Sequence, residues 1–354
     1  MSVLKASATI EPVDENKAMS TETQALSENT DASGNGSIAS AALFFGAIVA
    51  GSFIGQVSPE LGVTLSASLD ATLLALVFLL FFELRFGRLL SSLTDFRFLA
   101  LAWGANFLLV PLIGFGIASL LLSGQPLIFI GLMIYFLAPC TDWFLGFTRM
   151  ARGDTGLGAA LIPINLLSQL LLFPLWLWLL TRHTGALDLG GLPVLLAQWF
   201  LLPMLAAQGL RFVLDKILPE ERFDRLLVWV SQLLPFAIAL LIFQVFAGNI
   251  GAISANLPVF AILFAAVLLF FTATFFAGEG LSRLAGLAYP QHALLTMTMA
   301  ARNAPMMLAI TAVALPNQPL ILAAIAIGML VEIPHLTVLR HILLRKYASQ
   351  AKTV

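Results

Sequence analysis

The chain has 354 residues, of which 60% are hydrophobic and only 10% charged, with a mean hydropathy of +0.96. Soluble domains carry about one-quarter charged residues, so this composition describes a polytopic membrane protein. A net charge of −1 without a basic patch excludes a nucleic-acid partner, and one cysteine excludes both an internal disulfide and a multi-cysteine zinc site.

Residues 1–36 differ from the rest, with six acids, two lysines, many Ser and Thr, and no aromatic residue. No basic region leads into an apolar one, so the stretch is not read as a cleavable signal peptide but as a disordered cytoplasmic tail. Ten apolar segments of membrane-spanning length follow. They fall near 38–56, 66–84, 98–121, 126–148, 156–180, 192–213, 226–247, 256–277, 291–313 and 319–340. Turn signals such as Ser58-Pro59, Gln125-Pro126, Arg152-Gly153-Asp154 and Leu218-Pro219 separate them.

Basic residues recur in alternate links. Arg85, Arg88 and Arg97 follow the second segment, Arg149 and Arg152 the fourth, Arg211 and Lys216 the sixth, Arg283 the eighth, and Arg340, Arg345 and Lys346 the tenth. By the positive-inside rule, both termini then lie on the cytoplasmic side of the cell (inner) membrane. The expected fold class is an all-α polytopic membrane protein of ten transmembrane helices, arranged as two inverted five-helix repeats. The repeats take residues 37–182 and 183–345, and 346–354 form a short cytoplasmic tail.

Each half carries a proline in its fourth helix, Pro139 and Pro305, so helices 4 and 9 are expected to be broken and to cross. Proline lacks an N–H and crowds the carbonyl four residues back, so Pro139 frees the Tyr135 carbonyl. At membrane depth such groups are tolerated only against protein or a water-lined cavity. A pair of interrupted helices in matching positions points to a transport site.

Around the first break stand Cys140, Thr141 and Asp142; around the second stand Arg302 and Asn303. A thiol is a soft ligand suited to thiophilic species, and one thiol can make one labile bond, enough for transient recognition. Asp142 and Arg302 are opposite charges in apolar segments, which pair or line cavities; they are expected to form an ion pair or coupling site. Asn165 and Gln169, four residues apart on one helix face, either line the cavity or bond a neighbouring helix. Glu332 and His335 are read as an interfacial pair near the end of the tenth helix. No nucleotide or cofactor motif occurs, so no cofactor and no ATPase subunit are expected.

The stretch Ala138-Pro139-Cys140-Thr141 resembles the Ala-Pro-Cys-Thr signature in the fourth helix of the Acr3-type arsenite permeases, within the bile acid:sodium symporter superfamily. The resemblance runs through Gly153-Asp154 and Asn165 to Asn303 and Leu308-Ala309-Ile310, covering about residues 38–345. It implies a core of helices 3–5 and 8–10 against a panel of helices 1, 2, 6 and 7. It also implies that Cys140 matches the cysteine required for metalloid transport, with Thr141, Asn165 and Asn303 beside the substrate.

The chain departs from its relatives at three places. Met307 replaces a glutamate of the arsenite permeases, Asp142 replaces a small residue, and Thr298 and Arg302 stand where sodium-coupled relatives carry glutamate and glutamine. Arg302 is therefore expected to act as a fixed cation, with Asp142 as its counter-ion or as a proton carrier. The function these readings imply is a secondary transporter, not an enzyme, that exports arsenite or antimonite across the lipid bilayer. Protons, and not sodium, would drive it. An organic-anion carrier of the bile-acid type is the alternative within transport, and a membrane sensor or scaffold the alternative outside it.

Overall fold

A computed structural model describes residues 39–83, 95–141, 143–185, 194, 201–315 and 318–351. The expected tail at 1–36 lies outside these residues, as do Asp142 and most of the link at 186–200. Without water in hydrocarbon, backbone N–H and C=O groups must bond within the chain, which favours helices throughout. The described residues form thirteen of them: α1 (Ala39–Val57), α2 (Pro59–Ser66), α3 (Leu69–Glu83), α4 (Phe96–Leu122), α5 (Pro126–Phe136), α6 (Trp143–Met150) and α7 (Thr155–Thr181) come first. After these come α8 (Leu202–Ile217), α9 (Glu220–Ser254), α10 (Leu257–Leu284), α11 (Tyr289–Ala300), α12 (Ala304–Ala314) and α13 (Pro319–Ala351).

Within the described residues the expected segments coincide with one of these helices or with a consecutive pair; most of residues 192–200 of the sixth segment lie outside them. Six helices (α1, α4, α7, α9, α10 and α13) are long and apolar enough to cross a membrane alone, and α2 with α3 forms a bent seventh span. The chain is thus an all-α integral membrane protein.

Local chemistry sets the ends. Proline stands in the first turn of α2, α5, α8, α10, α11 and α12, where its missing N–H had no intrahelical partner. Asp95 caps α4 by accepting from the Phe98 N–H at 3.0 Å, and Asp154 caps α7 by accepting from the Leu157 N–H at 2.9 Å. The turn into α7 takes Arg152 through the left-handed region (φ 58). Gly153 then bonds the Thr148 carbonyl at 2.8 Å. One turn before Pro111, α4 widens into a π turn over Ala105–Leu109, within which Asn106 is buried.

The helices pack in two groups. In one, α3 lies against α8 and α9, and α2 lies against α9. In the other, α13 runs along α5, α10 and α12, while α4 packs on α5 and α10 and α11 packs on α10. Glycines line both sides of the α5–α13 contact. A Cβ on Gly131 would come within 2.8 Å of Ala324 and of the Ile321 carbonyl, and one on Gly328 within 2.9 Å of the Tyr135 ring. Gly328 thereby leaves room for the Tyr135 side chain in the middle of the second group.

Candidate functional site

Both expected breaks are present, and they meet. The first interrupts the chain between α5 and α6, the second between α11 and α12. Cys140 donates its backbone N–H to the Ala301 carbonyl at 3.1 Å, and Asn303 donates to the Ala138 carbonyl at 2.8 Å. Pro139 and Arg302 thus face each other in a minimal antiparallel bridge. Pro139 lies inside its break. Pro305 lies in the first turn of α12, so the second interruption is at residues 301–303, just before it.

The bridge has a cost, because each N–H it diverts leaves a carbonyl behind. In continuous helices Cys140 would bond Phe136, Arg302 would bond Thr298, and Asn303 would bond Met299. All three carbonyls are instead taken by the side chain of Arg302, which is fully buried. Its Nη1 donates to Phe136 O at 3.2 Å, and its Nη2 to Thr298 O at 2.7 Å and Met299 O at 2.9 Å. Nη2 also reaches Asn106 Oδ1 at 3.3 Å, and Asn106 donates to Thr298 Oγ1 at 2.9 Å. One guanidinium therefore satisfies the carbonyl ends of both half-helices. Arginine suits the task because its rigid fork of donors points at several acceptors at once.

Of the expected ion pair, Asp142 lies outside the described residues, and the carboxylate found beside Arg302 is Glu332. This corrects the reading of Glu332 and His335 as an interfacial pair. Glu332 is fully buried, and His335 lies within the helix packing, stacked on Phe271 with ring centroids 4.2 Å apart. Glu332 Oε1 accepts from the Arg302 backbone N–H at 2.9 Å and from Trp143 Nε1 at 3.2 Å, while Oε2 accepts from the Tyr135 hydroxyl at 3.0 Å. The cue available in the sequence was an acid inside an apolar segment, which is rarely incidental.

The opposite side of the bridge holds the remaining expected residues. Cys140, Thr141 and Asn303 are all buried. The Asn303 carboxamide donates to Thr141 Oγ1 at 3.1 Å and caps α12 by accepting from the Met306 N–H at 3.4 Å. The Met306 sulfur lies 3.6 Å from Asn303 Nδ2 and 3.4 Å from Gln169 Nε2. Gln169 thus joins α7 to the second break. Asn165, one turn away on the same face of α7, is fully buried, and neither end of its carboxamide is hydrogen-bonded within the protein. Buried carboxamides are normally satisfied, so this pair leaves hydrogen-bonding capacity on the face of α7 that reaches Met306 at the start of α12. Sequence reading left Met306 unremarked, as an apolar residue in an apolar helix.

A second charged cluster gathers where α10 ends and α11 begins. Glu279 contacts Lys346, lies 3.5 Å from Arg283, and is 3.1 Å from His292. Nearby, burial pushes the Tyr289 hydroxyl up to about 12, so it stays protonated and donates to the Ala151 carbonyl at 2.8 Å. These contacts tie α11 to α10, α13 and the turn after α6.

Comparison with known proteins agrees with this geometry. The model of the family described as "Sodium Bile acid symporter family" matches residues 71–256, a span that contains the first break and Asn165. The arsenical-resistance protein Acr3 of Corynebacterium glutamicum is 26% identical over 308 residues, covering 82% of this chain and 82% of that protein.

Proposed function

We infer from one premise, that the chain belongs to the sodium bile acid symporter family, a function for the paired breaks: export of arsenite or antimonite. The chain is an integral membrane transporter. Its cargo, on our reading, is trivalent arsenic or antimony, recognised by the Cys140 sulfur and by hydroxyl and carboxamide groups around it. The observation that carries this reading is the junction itself. It holds the single cysteine of the chain next to Thr141, whose hydroxyl accepts from Asn303, with an unsatisfied Asn165 carboxamide on the face of α7 whose Gln169 reaches Met306.

Arsenous acid is neutral and trihydroxylated at pH 7. A thiol can condense with one of its hydroxyls, releasing water and forming one labile As–S bond. Carboxamides both donate and accept, which suits the remaining hydroxyls. The Acr3 similarity supports the same cargo. Because Cys140 and its neighbours are buried, entry of substrate requires the two helix groups to move apart.

An organic anion fits less well. Arg302 is fully buried, and its two terminal nitrogens donate to four neutral oxygens while its Nε has no hydrogen-bond partner, so a substrate carboxylate would have to displace those bonds to engage the fork. The same cage bears on coupling. Sodium seeks several oxygen ligands, and here the oxygens freed at the breaks surround a cation already attached to the chain. We propose a ten-span inverted repeat with cytoplasmic termini in the cell membrane, driven by protons and indifferent to sodium. Everted vesicles given a pH gradient, and separately a sodium gradient, test this reading through arsenite uptake. Uptake is expected with the pH gradient alone, and uptake driven by sodium alone would overturn the assignment of Arg302.

A further inference from the structure

The two sides of the bridge are finished differently. Around Arg302, each carbonyl freed by the bridge has a charged donor. On the other side, buried polar groups of α7 have a weak partner or none. Neither Nδ2 nor Oδ1 of fully buried Asn165 is hydrogen-bonded, and one turn on, Oε1 of buried Gln169 is also without a partner. Among the described residues, Gln169 Nε2 bonds only the Met306 sulfur, at 3.4 Å. Buried carboxamides are normally satisfied, so two neighbouring ones left open mark a place for a ligand. We propose that Gln169 is a cargo-binding residue, held ready by the Met306 thioether, and that with Asn165 it binds the hydroxyl groups that the thiol leaves free. The proposal rests on the arsenite-export reading above.

A chain of short contacts links Gln169 to the thiol. Thr141, next to Cys140, accepts from Asn303 Nδ2 at 3.1 Å. The same nitrogen lies 3.6 Å from the Met306 sulfur, which accepts from Gln169 at 3.4 Å. Only the side chains of Met306 and Asn303 thus separate Gln169 from the residue beside the thiol. The rotation of α7 is fixed from its flank, where the Trp103 indole donates to Ser168 Oγ at 2.9 Å. The other carboxamides at the junction are already committed. Asn303 caps α12 and donates to Thr141, and Asn106 accepts from Arg302 and donates to Thr298. Asn165 and Gln169 are the two with capacity left.

Sulfur suits the resting role because a thioether is a weak acceptor. It holds the Gln169 amide in place while the site is empty, and a hydroxyl oxygen of the cargo, a better acceptor, takes the amide over. Condensation of arsenous acid with the Cys140 thiol joins sulfur to arsenic and expels one hydroxyl with the thiol proton as water; arsenic stays trivalent. Two hydroxyls remain, each able to donate and to accept. Two carboxamides can meet them. Asn165 Oδ1 and Gln169 Oε1 accept, while Asn165 Nδ2 and Gln169 Nε2 donate. No charge is needed, which matches a cargo that is neutral at pH 7.

A binding role and a packing role differ in their effect on stability. A carboxamide buried without a partner destabilises the empty protein, and an apolar group of the same shape in its place is neutral or favourable. Asn165→Leu, close in shape and free of polar atoms, is therefore expected to unfold at or above the wild-type temperature while binding arsenite less well. The two roles also differ in specificity. Methylarsonous acid carries a methyl in place of one hydroxyl, so after the same condensation it offers the carboxamides a single hydroxyl and gains less from them.

Initial rates of arsenite uptake by purified protein in liposomes, measured over a range of concentrations, test the assignment. Gln169→Met keeps the length of the side chain and removes its carboxamide. It and Asn165→Leu are each expected to raise the arsenite KM about fivefold or more, with the maximal rate within about twofold of wild type. The KM for methylarsonous acid should rise less in both. Met306→Leu frees the Gln169 amide from its resting partner and is expected to lower the arsenite KM about twofold; a raised KM there overturns the role given to the sulfur. An arsenite KM equal to wild type in the two carboxamide variants overturns the proposal. If Gln169→Met does not fold, Asn165→Leu decides: lost thermal stability with KM unaltered marks a packing residue and overturns the proposal too. A wild type that moves no arsenite instead defeats the export reading itself, and the carboxamide assignment with it.

Discussion

Cys140→Ser is expected to reduce arsenite resistance to the level of cells lacking the protein, while the variant still folds and inserts. The substitution keeps nearly the same shape and removes only the soft sulfur, on which an As(III) bond depends. Its structural effect should be modest. Cys140 is buried in the bridge, but the bridge contact there is made by its backbone N–H to Ala301, which serine retains. A buried hydroxyl without a partner costs about 1–3 kcal/mol, so Cys140→Ala provides the control that lacks even this penalty. Both variants should run as monodisperse protein with unfolding temperatures close to wild type, and both should fail to confer resistance. Resistance equal to wild type in either would show that the thiol does not recognise the cargo.

Arg302→Met should be among the most destabilising single substitutions in the chain. Methionine fills much of the same space but donates nothing, so the Phe136, Thr298 and Met299 carbonyls and Asn106 Oδ1 all lose their common donor. Each buried polar group left unsatisfied costs about 1–3 kcal/mol. The change also removes the positive charge closest to Glu332, whose carboxylate keeps its three hydrogen-bond donors. Pairing Arg302→Met with Glu332→Gln should therefore recover only part of the lost stability, because the neutral amide removes the remaining charge but the carbonyls stay bare. Arg302→Lys should fall between, keeping the charge but lacking the planar fork. Thermal unfolding of the detergent-solubilised variants measures the order. An Arg302→Met protein as stable as wild type would mean that the carbonyls find other partners.

Much of this architecture can be read from residue order because membranes impose simple rules. Among the described residues hydropathy located the long helices and helix pairs, and Pro139 and Pro305 marked the two interruptions. The positions of Cys140, Thr141, Arg302 and Asn303 then followed once the breaks were taken to cross. Other parts were hidden for physical reasons. Glu332 looked peripheral because the apolar stretch stops at Arg340, whereas the helix continues to Ala351 and so sets Glu332 near its middle. Asn106 gained its role from the π turn before Pro111, a change of helical pitch that hydropathy does not reveal. Tyr135 and Trp143 passed as ordinary apolar residues, since only the fold shows which aromatic edges meet a carboxylate. The expected partner Asp142 lies outside the described residues, and the acid that accepts from the Arg302 N–H comes from a different helix.

The central claim, that this chain removes trivalent arsenic from cells, is tested most directly by metalloid accumulation in cells lacking their own exporters. Cells are loaded with arsenite, and intracellular arsenic is followed with and without the chain. Wild-type protein should lower the steady-state content several-fold, and Cys140→Ser should leave it at the level of the empty cells. Equal accumulation with and without the wild-type chain, in cells where the protein is demonstrably in the membrane, would contradict the account.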